Sequence, residues 1–486
     1  MAEAAGPGPP ADHPGPPGDH SGGPPDSPGP LPAALELLPA GPLVMRLAAP
    51  ASKSVTNRAL LCAALASGTS HLHGAAGSDD AEAMAAALVG LGAGVDLGGG
   101  PGGWWGRPGA PDPAAGSGHP HPDGWTVAGT GGRLRSPERP LDARLSGTTM
   151  RFLAAAATLT PHGATVTGQA PLLRRPVGPL VAALRALGAA VADAGGGLPP
   201  VTAAGGGLDG GRATVDAGAS SQFASAVLLV APYARRSVVL TAERLGAAAY
   251  VELTAELMGR FGATVAPASP DAWRVEPGPY RAAELAVEYD ASAAAHLFAL
   301  AAATGGQVTV TNAAPGTRQP DAALPGLLAA MGATVTRDGD ALTVRGPERL
   351  DPVDADLSAM PDQVTTVAAL AALAGGPSRL RGVGVARGHE TDRLAALAAE
   401  LAKLGVAVTE LPDGLAVAGA GPGRLRPARL ATWGDHRMAM ALAAVAAHLP
   451  GVVIEDPGCV AKTYPGFWHD LAAAGLLWRP RPGPVQ

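Results

Sequence analysis

Cysteine is nearly absent. Cys62 and Cys459 are the only two in 486 residues, too few for a disulfide framework or a cysteine-based zinc or iron–sulfur site. Aromatic residues make up 3% of the chain, so the core must come from the Leu, Val and Ala that dominate its 47% hydrophobic content. Charged residues are sparse at 16%, and the formal net charge of −6 gives no general attraction to nucleic acid or an anionic membrane. No stretch reaches the ~18–20 uninterrupted apolar residues of a membrane span; the Ala-rich run after Met438 is broken by His448 and Pro450. The expectation is a cytoplasmic protein without membrane or nucleic-acid partners. Lysine is the scarcest charge: of 35 basic residues only Lys53, Lys403 and Lys462 are lysine. Where arginine serves almost everywhere, a retained lysine marks a place that needs a compact ammonium rather than a planar guanidinium.

At ~100–200 residues per domain the length allows two to four domains. Residues 1–32 hold eleven Pro and seven Gly with no apolar period, a composition that cannot offset its ordering entropy. Residues 1–42 are therefore expected to be a disordered tail. Beyond it, an Ala/Leu-rich helical stretch followed by glycine, a small residue and a valine recurs, with a degenerate last copy. The marker glycines are Gly92, Gly188, Gly262, Gly332, Gly405 and Gly475, spaced by 96, 74, 70, 73 and 70 residues. Glycine ends such helices in the left-handed conformation, so the pattern predicts six α/β units. The long first spacing is accounted for by a Gly/Pro-rich insertion at 97–124, expected to be a loop.

Chemistry-bearing residues cluster at predicted helix starts. In ASKSVTNRA (51–59), Lys53, Ser54 and Arg58 stand where free backbone N–H groups and the helix dipole favour an anion. In LSGTTMRF (145–152), Gly147 permits close backbone approach, Thr148 and Thr149 can cap the next helix, and Arg151 follows one turn in. Arg174 and Arg175 precede Pro176, and GASSQF (218–223) sets Ser220, Ser221 and Gln222 before an apolar helix. The second half adds Asp362 in AMPDQVTT, His389, Glu390 and Arg393 in RGHETDRL, His436 and Arg437 in TWGDHRMAM and Lys462 in CVAKTYP.

The ordered set SKSxTNRA, GTTMRF, RRPVG, SSQF, PD, HETDR, DHRMAM and CxAKTYP resembles the 5-enolpyruvylshikimate-3-phosphate (EPSP) synthases over residues 43–475. The resemblance implies a two-domain α/β (α+β) enolpyruvyl transferase fold, three units per domain around pseudo-threefold axes, with the active site in the interdomain cleft. It implies that residues 43–52 and 290–486 form one discontinuous domain and 53–289 an inserted one. The reaction implied is transfer of the enolpyruvyl group of phosphoenolpyruvate to the 5-hydroxyl of shikimate 3-phosphate by a monomer, with no cofactor and no metal.

By the same resemblance Lys53, Ser54, Arg58, Ser220, Ser221, Gln222, Asp362 and His389 hold shikimate 3-phosphate. Lys53, Gly147, Arg175, Gln222, Arg393, Arg437 and Lys462 hold phosphoenolpyruvate. Asp362 is the expected base, Glu390 the proton donor, and Lys53 assists. The substrates carry about six negative charges, matched by the seven cations Lys53, Arg58, Arg151, Arg175, Arg393, Arg437 and Lys462. Two positions depart from the family pattern: Ala247 stands where a serine is usual and His389 where a lysine is usual. Two alternatives stay open here, the sister transferase acting on UDP-N-acetylglucosamine, which typically uses a reactive loop cysteine, and a non-catalytic binding paralogue.

Overall fold

The computed structural model describes residues 31–38, 41–98, 104–105 and 124–483. Twelve α-helices occur among the described residues: α1 Lys53–Leu65, α2 Asp79–Gly90, α3 Gly147–Ala157, α4 Gly178–Ala186, α5 Gln222–Val230, α6 Ala248–Arg260, α7 Ala291–Thr304, α8 Leu324–Ala330, α9 Val364–Leu373, α10 Arg393–Lys403, α11 His436–His448 and α12 Phe467–Ala473. They fall two to a unit. The second helix of every unit ends near its marker glycine, and all six glycines adopt φ between +86° and +103°, a conformation costly for any residue with a Cβ.

Each unit closes a mixed sheet of one pattern. In the second unit, strand Leu141–Asp142 runs parallel to Ala164–Thr167, which is antiparallel to Val201–Ala203, which is antiparallel to Val191–Asp193. The other five sheets repeat this order. Three of them borrow a strand from far along the chain. Glu284–Ala286 pairs in parallel with Thr69–His73, and Val44–Leu47 with Gln307–Val310. Ala34–Leu38 lies between Val453–Glu455 and Leu477–Arg481. The chain passes between the halves at two adjacent segments, where Ser52 N–H donates to Glu288 O and Asp290 N–H to Pro50 O.

The borrowed strand Ala34–Leu38 corrects the expected tail: Ala34, Leu35 and Leu37 are fully buried, because two flanking strands need a partner that the C-terminal unit does not supply itself. Residues 1–30 and 39–40 of that expectation lie outside the described residues. The insertion is likewise more than a loop, since Trp104–Trp105 pairs with Gly94–Asp96 as an edge strand; its residues 99–103 and 106–123 lie outside the described residues.

From Leu31 onward the chain folds as one compact unit with two separate apolar cores. One is built from residues 55–285, the other from 35–49 and 289–476. At the centre of the first, α1, α3 and α5 pack on one another; at the centre of the second, α7, α9 and α11 do. These helices are apolar on nearly every face, which is what full burial requires. No helix among the described residues is long and apolar enough to cross a membrane.

Candidate functional site

The N-terminal ends of four of these inner helices converge with that of α10, the turn ahead of α9 bringing in Asp362. Lys53 opens α1, Gly147 α3, Gln222 α5, Arg393 α10 and His436 α11, and all five line one cavity of about 580 Å³. Helix N-termini carry partial positive charge and unsatisfied N–H groups, so their convergence favours anions. The caps fix the geometry. Ser52 accepts from Val55 N–H and Ser146 from Thr149 N–H; the expected caps Thr148 and Thr149 instead bond Gln222 and the Asp80 carbonyl through their hydroxyls.

Lys53, Ser54, Arg58, Gly147, Arg175, Ser220, Ser221, Gln222, Asp362, His389, Glu390, Arg393 and Arg437 all line this cavity. Lys462 reaches it through Glu390, its Nζ 2.7 Å from Glu390 Oε1 and 3.1 Å from the Leu145 carbonyl. Lys403 is elsewhere, at the end of α10, where its Nζ pairs at 2.6 Å with Glu400, a carboxylate only 1% exposed.

Two arginines are buried without a carboxylate among their hydrogen-bond partners. Arg58 donates to Thr254, Ser225 and the carbonyls of Ser54 and Tyr250, and burial lowers its pKa to about 10. Arg151 donates to Gln222 at 2.5 Å and to Ser220 at 3.4 Å and is pushed well below the ordinary arginine range, by burial first and by neighbouring Arg175 second. Gln222 also donates to Thr148 Oγ1 at 3.1 Å, so its side chain is held between two elements. A buried cation facing an open cavity with no counter-charge is stabilised when an anion enters.

The carboxylates form a second group. Arg393, 1% exposed, grips Asp435 through Nε and Nη2 at 2.8 and 3.3 Å, Asp362 through Nη1 at 2.6 Å and Glu390 through Nη2 at 3.0 Å. Asp435 also caps α11 by accepting from Arg437 N–H, so one fully buried carboxylate orients both α10 and α11. Asp362 further meets His389 Nδ1 at 3.1 Å and Arg437 Nη2 at 3.1 Å. Glu390 lies 3.6 Å from Arg175 Nη1 across the cavity. Burial alone would raise both carboxyls, but Arg437, His389 and Arg393 hold Asp362 well below the usual range, and Lys462, Arg175 and Arg393 do the same for Glu390.

Sequence reasoning missed Asp80, whose Oδ2 pairs with Lys53 Nζ at 2.9 Å, and Asp321 and Tyr250, which also line the cavity, as does His436, singled out in sequence without a role. His436 is held neutral, by burial first and by Lys53, Lys462 and Arg437 after it, and both its ring nitrogens lack partners. Asp435 was missed as well, though it stands beside His436 and Arg437 in TWGDHRMAM, which was the available signal. Asp80 and Asp321 had none: Asp80 is one of three acids in the first turn of α2 and Asp321 a single acid in a short turn, both ordinary at helix starts. Among the described residues no three His, Cys, Asp or Glu side chains gather as a metal site would require.

The profile of the EPSP synthase (3-phosphoshikimate 1-carboxyvinyltransferase) family matches residues 38–98 and 121–471. The chain is 39% identical to the 3-phosphoshikimate 1-carboxyvinyltransferase of Methanoculleus marisnigri over 441 residues, 90% of this chain and 98% of that protein. It is 39% identical to the protein of the same name from Rhizobium leguminosarum bv. trifolii over 455 residues, 92% and 98% of the two. Among solved structures it resembles EPSP synthase from Acinetobacter baumannii, with a TM-score of 0.74 at 24% identity over 92% of this chain and 99% of that one. It also resembles the enolpyruvyl transferase NikO from Streptomyces tendae, with a TM-score of 0.71 at 19% identity over 94% and 100%. These two likenesses are of fold.

Proposed function

We propose roles for the cavity's side chains from one premise: the chain belongs to the EPSP synthase family and transfers the enolpyruvyl group of phosphoenolpyruvate to the 5-hydroxyl of shikimate 3-phosphate, releasing phosphate, in the shikimate pathway. The observation that carries the assignment is the pairing of two ionised carboxylates, Asp362 and Glu390, bridged by the single guanidinium of Arg393 at 2.6 and 3.0 Å.

Ser54 and Arg58 hold the shikimate portion, and Ser220, Ser221 and Gln222 its phosphate and ring oxygens. His389 takes the place of the usual lysine and serves as a donor there. Lys53, Gly147, Arg175, Gln222, Arg393, Arg437 and Lys462 hold phosphoenolpyruvate. Arg437 Nη1, buried and making no hydrogen bond, supports its role as an anion donor. Four of the five N–H groups of Arg393 donate to carboxylate oxygens of Asp435, Asp362 and Glu390, so it meets an anion chiefly by giving up one of them.

Asp362 takes the 5-hydroxyl proton as the 5-oxygen bonds to C2 of phosphoenolpyruvate, and Glu390 delivers a proton to C3, giving a tetrahedral ketal phosphate with a methyl group. Lys53, Arg175 and Lys462 stabilise its charge. Breaking the C2–O bond to phosphate and removing a methyl proton restores the double bond. Glu390 is too acidic in the empty site to keep a proton. Bound phosphoenolpyruvate draws Lys462 and Arg175 to its own oxygens and adds negative charge beside Glu390, and both changes raise its affinity for a proton.

Turnover in deuterium oxide tests this. A methyl group formed by proton delivery from Glu390 loses either isotope when the double bond returns, so deuterium enters the vinyl group of the product. Glu390→Gln should abolish that incorporation; incorporation at the wild-type rate would remove Glu390 as the donor.

We further propose that 43–52 with 290–486 and 53–289 act as two domains meeting at the cavity, as their separate apolar cores suggest. We propose a monomeric unit of action, since one chain supplies every assigned residue, and a reducing cytoplasm, which suits two unpaired cysteines.

A further inference from the structure

A second carboxylate faces Arg437 from the cavity lining, on the side away from Asp362. Asp321 stands in the short turn Pro320–Ala323 ahead of α8. Its side chain is 1% exposed, and its Oδ2 lies 3.8 Å from Arg437 Nη1 while accepting from the Ser292 hydroxyl. On the other side of the same guanidinium, Nη2 is 3.1 Å from Asp362 Oδ2. Arg437 Nη1 is buried yet donates to nothing, and Asp321 Oδ1 accepts nothing, the Gln363 amide facing it without completing a bond. A guanidinium with a single carboxylate neighbour frequently closes on it in a bidentate fork. Arg437 is instead suspended between two.

We propose that Asp321 is a positioning residue for the transfer: as the second carboxylate on Arg437 it keeps that guanidinium from closing onto Asp362, leaving Nη1 for the phosphoenolpyruvate anion and an oxygen of Asp362 for the 5-hydroxyl. This rests on the roles given above to Asp362 and Arg437.

The surrounding charges explain why two carboxyls so close can differ. Asp321 is faced by Arg437 from α11, by Asp362 and Gln363 from the turn ahead of α9, and by Ser292 from α7. Tyr250 on α6 lies near both carboxylates and Asp290. Asp362 is faced in addition by His389 and Arg393, and by buried His296 on α7. Burial raises the Asp321 carboxyl, Asp362 adds to the rise and Arg437 only partly opposes it, whereas Asp362 is held well below the ordinary range. A proton reaching the pair therefore goes to Asp321 first. On acidification Arg437 loses its outer anchor before Asp362 itself is protonated.

Asp321→Asn is nearly isosteric and fixes the protonated-like state at all pH. In the folded variant the KM for phosphoenolpyruvate should rise about tenfold or more while that for shikimate 3-phosphate changes about twofold at most. The acid limb of kcat/KM should move to lower pH, because only the more acidic Asp362 still titrates. Ser292→Ala, which releases Asp321 Oδ2, should shift the same two readings the same way to a smaller extent, and it carries the test if the Asn variant does not fold. A merely structural role would lower the melting temperature and leave KM and the acid limb in place; that result overturns the inference. Failure of the underlying assignment would show separately, as wild-type turnover in Asp362→Asn.

Discussion

A methyl group on Gly147 would stand 2.8 Å from Arg175 Nη1 and 3.2 Å from Arg151 Nη1. Glycine at the start of α3 is thus what lets two guanidinium groups come up to the same wall of the cavity. Gly147→Ala should push Arg175 aside and raise the KM for phosphoenolpyruvate about tenfold, with a smaller effect on shikimate 3-phosphate, since a misplacement of about 1 Å at a reacting group is enough for such losses. Steady-state kinetics with each substrate varied in turn checks this.

The scarce lysines give a second test. Lys53 Nζ fits between Asp80 and the cavity, and Lys462 Nζ between Glu390 and the Leu145 carbonyl. Lys53→Arg and Lys462→Arg keep the charge but not the volume, and each should lower kcat/KM by about tenfold or more. Lys403→Arg should stay near wild type, because an exposed guanidinium can still reach Glu400. Equal, near-wild-type efficiency in all three would show that the lysines only steer anions.

Much of the fold was legible because its repeat is written in helix-ending glycines, whose left-handed φ no other residue adopts as cheaply. Strand exchange was not legible. Ala34–Leu38 sits beside a proline-rich segment, and its partners lie more than 400 residues away, so no local pattern marks it. At the site, the cations were readable as motif residues at helix starts. Their counter-ions Asp80 and Asp321 were not, since an acidic residue that is solvated and one that is buried against a cation look alike in sequence. The double duty of Asp435, cap and clamp, needed the meeting of α10 and α11.

Deleting the chain through Leu38 should therefore be costly. The deletion opens the middle of a four-stranded sheet and exposes surface against which Leu35 and Leu37 were fully buried, with each such leucine worth roughly 1.5–3 kcal/mol. Circular-dichroism melting should show a clearly lowered midpoint or no cooperative transition. An unchanged midpoint would mean the strand adds nothing to the fold.

Both thiols should be bystanders. Burial pushes Cys62 and Cys459 up to about 12, leaving almost no thiolate at neutral pH, and thiolate is the reactive form. Iodoacetamide at pH 7.5 should leave activity unchanged over hours. Rapid inactivation prevented by phosphoenolpyruvate would instead indicate a cysteine at the reacting centre, as in the sister transferase.

The most direct test of the account is Asp362→Asn, assayed for phosphate release from phosphoenolpyruvate and shikimate 3-phosphate, with binding of each substrate measured by calorimetry on the same preparation. The amide keeps the shape of the side chain and removes the base, so turnover should fall by ~10²–10⁴-fold while both dissociation constants change far less. Turnover within a few-fold of wild type in a folded variant that binds both substrates would show that Asp362 does not take the 5-hydroxyl proton.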